Sequence, residues 1–228
     1  MSLILREQQA DAAEQKRGNM AGMKVEQYVV GPVMTNCYFA INEDTSEMLV
    51  IDPGDEGAML IDKIKEKHLI PKAVLLTHGH FDHAGAAKKV ADAFDIPIYA
   101  EEHEQATLEN PTLNLSGMIG KQEVYHADIY VKDGETLELA GFSLKVFLTP
   151  GHTKGGCCYY IEKEQTVFTG DTLFRESVGR TDFPSASASE LLRSVEEKLM
   201  PLPGQIKVYP GHNDTTTIGW ERQYNPFL

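Results

Sequence analysis

Four short segments of this sequence carry residue types that bind metal ions. The densest is residues 77–83, which read THGHFDH and contain three histidines and one aspartate. His78 and His80 are two positions apart, so in extended backbone both side chains leave the chain on the same side. Asp82 and His83 fall where the chain turns towards a helix, and they can point elsewhere. This one segment could therefore supply ligands to two adjacent metal ions.

The other three segments share one form, in which a predicted strand ends in a glycine followed by a metal-capable side chain. His152 follows TPG, Asp171 follows FTG and His212 follows YPG. Small residues there let the backbone approach an ion closely. Imidazole with carboxylate suits zinc, iron or manganese better than calcium or magnesium. At these residue frequencies the spacing H-x-H-x-D-H should arise by chance in fewer than about one chain in a thousand, so the segments predict a metal site.

The sequence between these segments predicts strands and helices that must position them. Strands are predicted at residues 25–30, 38–41, 48–51, 73–76, 96–100, 135–139, 142–148, 157–161, 166–169 and 206–209. Helices are predicted at residues 58–67, 86–94 and 189–199. Residues 105–127 are poorly patterned and predict a loop with short helical pieces. Two β-rich halves, each bearing helices, predict a sandwich of sheets covered by helices.

Composition limits the classes of function. The 228 residues are 42% hydrophobic and 24% charged, which is typical of a globular protein. No stretch approaches the ~20 apolar residues that a membrane span requires. With 21 Lys+Arg against 34 Asp+Glu, the net charge of −13 disfavours nucleic acid as a partner. The composition therefore favours a protein that acts on small molecules away from membranes and nucleic acids.

Cysteine usage and the start of the chain give expectations about location and boundaries. Three cysteines, two of them adjacent, do not form a disulfide framework. No signal peptide is visible, so the expected location is the cytoplasm. Residues 1–22 are polar and are expected to form a flexible tail or a remnant foreign to the native protein. Residues 23–228 are expected to form a single domain.

The candidate ligands resemble those of the metallo-β-lactamase fold superfamily, and within it those of short-form glyoxalase II (hydroxyacylglutathione hydrolase). The resemblance extends from Met23 to Leu228. It implies a mixed α/β (α+β) fold, a four-layer αββα sandwich with the site at one edge of the two sheets. It also implies one metal on His78, His80 and His152, and a second on Asp82, His83 and His212, with Asp171 bridging them. Asp52, in the turn IDPG, matches a carboxylate that orients a ligand imidazole, although a plain Asp-Pro-Gly turn is the alternative.

This resemblance implies a hydrolase with two divalent metal ions, zinc before iron or manganese. A water shared by two metals has a pKa of roughly 7, and its hydroxide would hydrolyse a thioester such as S-D-lactoylglutathione. Asp82 and Asp171 would act as catalytic residues, Asp82 by orienting the nucleophile and Asp171 by bridging the metals. Arg180, in the segment GRTDF, would hold a substrate carboxylate. The alternative for Arg180 is a surface ion pair.

Two departures and two rival activities stay open at this point. Asp182 and Asp214 stand where the long form of glyoxalase II has tyrosines that contact glutathione, and an acidic pair disfavours that anionic tripeptide. Another thioester or another thiol carrier is therefore an alternative substrate. The main rival is a persulfide dioxygenase with one iron, which also carries a GRTDF segment. Lactone or β-lactam hydrolysis by the same fold is a further alternative, and the oligomeric state is open.

Overall fold

The computed structural model describes residues 22–228, so the predicted tail lies outside the described residues except for Gly22. A first sheet consists of β1 (Met23–Val30), β2 (Thr35–Asn42), β3 (Glu47–Ile51), β4 (Ile70–Leu75), β5 (Ile98–Glu101) and β6 (Ile129–Val131). These strands lie side by side in chain order. Neighbours from β1 to β3 are antiparallel, and neighbours from β3 to β6 are parallel. The parallel part brings the carboxyl ends of β3 and β4 to the same edge.

A second sheet faces the first. It contains β7 (Thr136–Leu139), β8 (Phe142–Leu148), β9 (Cys157–Ile161), β10 (Thr166–Gly170), β13 (Lys207–Pro210) and β14 (Thr216–Thr217). The order across this sheet is β14-β13-β10-β9-β8-β7. A two-stranded ribbon of β11 (Leu173–Phe174) and β12 (Ser177–Val178) follows β10. The strands β8, β10 and β13 all run in one direction, because β9 is antiparallel to β8 and β10 while β13 is parallel to β10.

Helices cover the outer face of each sheet. They are α1 (Gly57–Glu66), α2 (Phe81–Ala84), α3 (Ala87–Phe94), α4 (Gln105–Leu108), α5 (Ala188–Ser194) and α6 (Ile218–Tyr224). The helix α5 continues into a wider π-type turn over Val195–Leu199. The hydroxyl of Thr217 caps α6 by accepting from the N–H of Trp220 at 3.1 Å. None of these helices, within residues 22–228, has the length and apolar character needed to cross a membrane.

Three hydrophobic clusters define four layers. The central cluster lies between the sheets and includes Leu49, Leu75, Leu144 and Phe168. A second cluster packs α1 and α3 on the first sheet, through residues such as Leu60, Ile64 and Val90. A third packs the segment after α5, and α6, on the second sheet, through Val195, Leu199 and Ile218. Burial of these apolar side chains drives the layers together, and the predicted αββα fold is confirmed.

Most predicted elements are present, and the ones missed are short. The strand predicted at residues 38–41 begins earlier, at Thr35, and the one predicted at residues 96–100 begins later, at Ile98. Residues 105–127 form a loop with short helical turns, as expected. The strands β6, β11, β12 and β14 and the helices α2 and α6 were not predicted. A strand of two or three residues is too short to show alternation. The prediction of a single domain over residues 23–228 stays a prediction.

Candidate metal centre

The candidate ligands follow strands whose carboxyl ends lie at one edge of the two sheets. His78 and His80 lie in the loop after β4, and Asp82 and His83 lie in the short helix α2 directly beyond it. From the second sheet, the residues after β8, β10 and β13 are His152, Asp171 and His212 respectively. The structure therefore brings together all seven side chains that the sequence predicted as ligands.

Three of these imidazoles form a nitrogen triad, which consists of His78, His80 and His152. The Nδ1 atom of His80 lies 3.1 Å from Nε2 of His78 and 3.0 Å from Nε2 of His152. Ligand atoms at tetrahedral corners around zinc, with bonds of about 2.05 Å, are about 3.3 Å apart. Burial lowers the pKa of each triad member, and in His78 and His80 the neighbouring imidazoles add to this. The triad is therefore neutral at pH 7 and offers three lone pairs to one ion.

The second set contains Asp82, His83 and His212. The Oδ2 atom of Asp82 lies 3.4 Å from Nε2 of both His83 and His212. Burial lowers the pKa of His83, but the carboxylates of Asp82, Asp171 and Asp52 outweigh it and raise that pKa to about 10. Burial also lowers the pKa of His212, but the nearby carboxylates of Asp82 and Asp171 outweigh it, so the net pKa is raised. In contrast to the triad, this set is rich in negative charge and holds protons.

Asp171 lies between the two sets. Its Oδ2 atom is 3.4 Å from Nε2 of His152 and 3.6 Å from Nε2 of His212, and its Oδ1 atom is 3.4 Å from Nε2 of His83. Within residues 22–228, Oδ1 of Asp171 and Nε2 of His83 are buried atoms that have no hydrogen-bond partner. Buried polar atoms are rarely left in that state. Metal ions at this position would satisfy both, so the residues fit the group that the sequence predicted.

Asp52 connects the second set to the loop after β4. Its Oδ2 atom lies 2.9 Å from Nδ1 of His83, and its two oxygens accept from the N–H of Thr77 at 2.7 Å and the Thr77 hydroxyl at 2.6 Å. Asp52 has a left-handed φ of 50°, which aspartate tolerates better than most residues. A carboxylate that accepts from Nδ1 fixes the imidazole with Nε2 aimed at the site. Asp52 thus lies where the resemblance placed it.

Comparison with known proteins identifies the family. The family model for the metallo-beta-lactamase superfamily matches residues 30–212. This chain belongs to the metallo-beta-lactamase superfamily. It is 41% identical over 208 residues to the probable metallo-hydrolase YqgX of Bacillus subtilis, covering 90% of this chain and 98% of the relative. It is 36% identical over 212 residues to the hydroxyacylglutathione hydrolase GloC of Haemophilus influenzae, covering 90% of this chain and 98% of the relative.

Solved structures of superfamily members match the fold. The crystal structure of the B3 metallo-beta-lactamase BLEG-1 has a TM-score of 0.86 and 41% identity, covering 90% of this chain and 99% of that one. The protein TTHA1623, solved in a di-iron-bound form, has a TM-score of 0.78 and 34% identity, covering 89% and 100%. The protein ETHE1 from Myxococcus xanthus has a TM-score of 0.75 and 27% identity, covering 90% and 84%. The chain is therefore a metallo-hydrolase of this superfamily with His and Asp clusters that could bind metal ions.

Gly211, in the segment YPG, leaves space for the side chains of two candidate metal ligands, Asp171 and His83. A methyl group at Gly211 would overlap Oδ1 of Asp171 and lie 2.7 Å from Cε1 of His83. The N–H of Gly211 donates to the carbonyl of Gly170 at 2.8 Å, and its own carbonyl accepts from the N–H of Asn36 at 2.7 Å. The backbone therefore runs directly beneath the ligands and joins the two sheets there.

Arg180 lies at the rim of the site with its charge already paired. The guanidinium donates to Asp182 at 3.0 and 2.8 Å, and its carbon lies 4.2 Å from the ring centroid of Phe183. Both members of this ion pair are exposed. The carbonyl of Arg180 accepts from Nδ1 of His152 at 2.7 Å. The backbone of Arg180 thus orients a triad imidazole, and its side chain forms the surface ion pair that the sequence offered as the alternative.

Sequence reasoning missed several residues that contact the candidate ligands, among them Thr35 and Phe183. The hydroxyl of Thr35 donates to Oδ2 of Asp82 at 2.7 Å. The ring of Phe183 packs edge-on against His80 and His152, with centroid distances of 5.6 and 5.9 Å. Phe183 belongs to the GRTDF segment and could have been singled out there. The sequence signal for Thr35, a hydroxyl at the start of a buried strand, is too common to identify it.

Proposed function

We propose that this protein is a thioester hydrolase with two divalent metal ions, and that S-D-lactoylglutathione or a related thioester is its substrate. The proposal rests on one observation, the two ligand sets that share Asp171. Neighbouring ligand atoms in these sets lie 3.0–3.6 Å apart. Metal ions there would lower the pKa of a bound water and polarise a carbonyl oxygen. Zinc is the first candidate for the metal, and iron, as in the di-iron form of TTHA1623, is the alternative.

The side chains have separate roles in this proposal. Asp82, held by the hydroxyl of Thr35 at 2.7 Å, lies at the edge of the cluster and would orient the attacking water. Asp171 would keep the two ions at a fixed separation. Neither role requires a serine or cysteine nucleophile, and Cys37, Cys157 and Cys158 are all buried. The name of the GloC relative supports the thioester as substrate.

Arg180 is the proposed contact for a carboxylate on the substrate. Its ion pair with Asp182 is exposed to solvent and therefore weak, so a substrate carboxylate can compete for the guanidinium. The proposed partner is thus a small-molecule thioester and not a nucleic acid, which a net charge of −13 would repel. We place this activity in the cytoplasm, in keeping with the three free cysteines.

The test is hydrolysis of S-D-lactoylglutathione by metal-loaded protein, beside the variants His152→Ala and His126→Ala. His152 belongs to the nitrogen triad, so its loss should lower kcat/KM by about 100-fold or more, beyond the effect of an outer contact. His126 is exposed, and it forms its ion pair with Glu109 at 3.5 Å and not with a candidate ligand, so its variant should keep the activity. If fully metallated wild-type protein did not hydrolyse S-D-lactoylglutathione, the thioester assignment would be wrong.

β-Lactam hydrolysis is a second candidate, favoured by the likeness to BLEG-1, a B3 metallo-beta-lactamase, at 41% identity. The same metal-loaded preparation should be given a chromogenic cephalosporin in parallel. The likeness to ETHE1 makes oxygen uptake with glutathione persulfide the third assay. A lactamase would prefer the cephalosporin by kcat/KM, and a dioxygenase would consume oxygen with one bound iron. A thioester hydrolase would do neither efficiently.

A further inference from the structure

A buried carboxylate outside the ligand sets joins the two loops that carry the nitrogen triad. Glu104 follows β5 and is 0% exposed. Its Oε1 atom accepts from the N–H of Gly79 at 2.9 Å, inside the first loop. Its Oε2 atom accepts from the N–H of Gly155 at 2.7 Å and from the hydroxyl of Thr153 at 2.9 Å, in the loop that begins with His152. One side chain therefore holds both loops.

The same segment also packs against the backbone of these loops. A methyl group at Gly155 would overlap the backbone nitrogen of Glu104, and one at Gly79 would lie 3.0 Å from Cγ of Leu108. Residues 76–80 and 149–156 have no helix or strand of their own. Strand register therefore does not fix the distance between the loops near the triad. At their base the N–H of Cys157 donates to the carbonyl of Thr77 at 2.8 Å, and contacts with residues 102–108 add a second connection.

The hydrogen bonds of Glu104 require a carboxylate. The backbone amides of Gly79 and Gly155 and the hydroxyl of Thr153 all donate to its oxygens. Within residues 22–228 no basic side chain forms an ion pair with it. Burial raises the pKa of Glu104, and these hydrogen bonds oppose the rise. A glutamine would have the same size, but its NH₂ group would face an amide N–H on one side.

We propose that Glu104 is a positioning residue for the metal centre, which holds the two loops at the spacing where His78, His80 and His152 converge. Its hydrogen bonds then set how tightly the triad binds a metal ion, without contact between Glu104 and the ion. This inference rests on the metal-dependent function proposed above, and it concerns the metal affinity rather than the substrate. Outer contacts of this kind typically change metal affinity by about 10- to 100-fold.

The test compares Glu104→Gln with Glu221→Gln as a matched control. Glu221 is also 0% exposed and accepts from the N–H of Glu176 and the side chain of Asn225, both at 2.8 Å, but it holds the C-terminal helix instead of the triad loops. Metal-free full-length protein is titrated with Zn²⁺ against a chromophoric chelator, and thermal unfolding of each metal-free variant is recorded. We expect the first Zn²⁺ to bind about 10- to 100-fold more weakly to Glu104→Gln and unchanged to Glu221→Gln.

A purely structural role would produce a different result. If Glu104→Gln lowered Tm as Glu221→Gln does and bound the first Zn²⁺ within twofold of wild type, the proposal would be wrong. Should Glu104→Gln fail to fold, Thr153→Val removes one of the three donors at nearly constant size and should weaken the first Zn²⁺ several-fold. Wild-type protein that binds Zn²⁺ but hydrolyses no thioester would refute the proposed substrate and leave this inference standing. Wild-type protein that binds neither Zn²⁺ nor Fe²⁺ would refute both.

Discussion

At the scale of single residues, the charge of Arg180 depends on its neighbour Asp182. The guanidinium donates two hydrogen bonds to that carboxylate, and both side chains are exposed to solvent. It also lies over Phe183, whose ring edge contacts two imidazoles of the triad. The cation is thus at the rim of the site but largely neutralised. An anionic substrate has to displace Asp182, while a neutral substrate does not.

The variant Asp182→Asn should therefore improve the use of anionic thioesters. Because an exposed ion pair is weak, the ratio of kcat/KM for an anionic over a neutral thioester should rise only about 2- to 5-fold. Asp44→Asn, which removes one exposed charge in the turn between β2 and β3 without touching Arg180, is the control. An equal change of the ratio in both variants would assign the effect to net charge and not to Arg180.

At the scale of elements, the ligands converge because strands end at one edge and glycines let the following backbone come close. Gly211 follows β13, and a methyl group there would overlap Asp171 and crowd His83. We expect Gly211→Ala to displace both side chains and to abolish binding of at least one of the two metal ions. Metal content after dialysis measures this directly, together with loss of hydrolysis.

A second glycine provides the comparison for this variant. Gly204→Ala adds a methyl whose nearest neighbour is the Cα of Gly219 at 3.5 Å, an ordinary contact. It should keep two metal ions and full activity. If Gly211→Ala retained both ions, the loop after β13 could shift without loss of metal binding. The close approach of the Gly211 backbone to Asp171 and His83 would then not be what positions the ligands.

The elements also show how far the sequence alone could lead. The ligands were predictable because each follows a strand, and the TPG, FTG and YPG segments mark those positions. The positioning role of Glu104 was not predictable, because it depends on a hydrogen bond to Thr153, which is 49 residues away in the chain. The sequence also left Arg180 open to two interpretations, a substrate contact or a surface ion pair, because it does not show that Arg180 pairs with Asp182. Contacts between loops carry no periodic pattern, so only the folded chain shows them.

At the scale of the whole molecule, both ligand sets draw on both sheets, but the two sets differ in charge. The nitrogen triad has pKa values lowered first by burial, so it is neutral at pH 7. In the second set, carboxylates overcome the effect of burial and raise the pKa of His83 to about 10 and also raise that of His212. An imidazole must lose its proton before it can bind a metal ion. The two sets therefore start from opposite protonation states in the metal-free protein.

This difference predicts that the two metal ions respond differently to pH. The pKa values of the triad are lowered below 6.5, so above pH 7 the triad has almost no proton to release and its affinity for Zn²⁺ should be nearly constant. The second set must release the proton of His83 and, below the raised pKa of His212, that of His212 as well, so below pH 10 each unit of rising pH should strengthen its affinity at least about tenfold. Calorimetric titration of metal-free protein with Zn²⁺, in buffers of different ionisation enthalpy, measures the protons released by each equivalent. One equivalent should bind tightly at pH 6 and two at pH 8. If both equivalents show the same slope with pH, the carboxylates around His83 do not separate the two sets, and the sites fill as a unit.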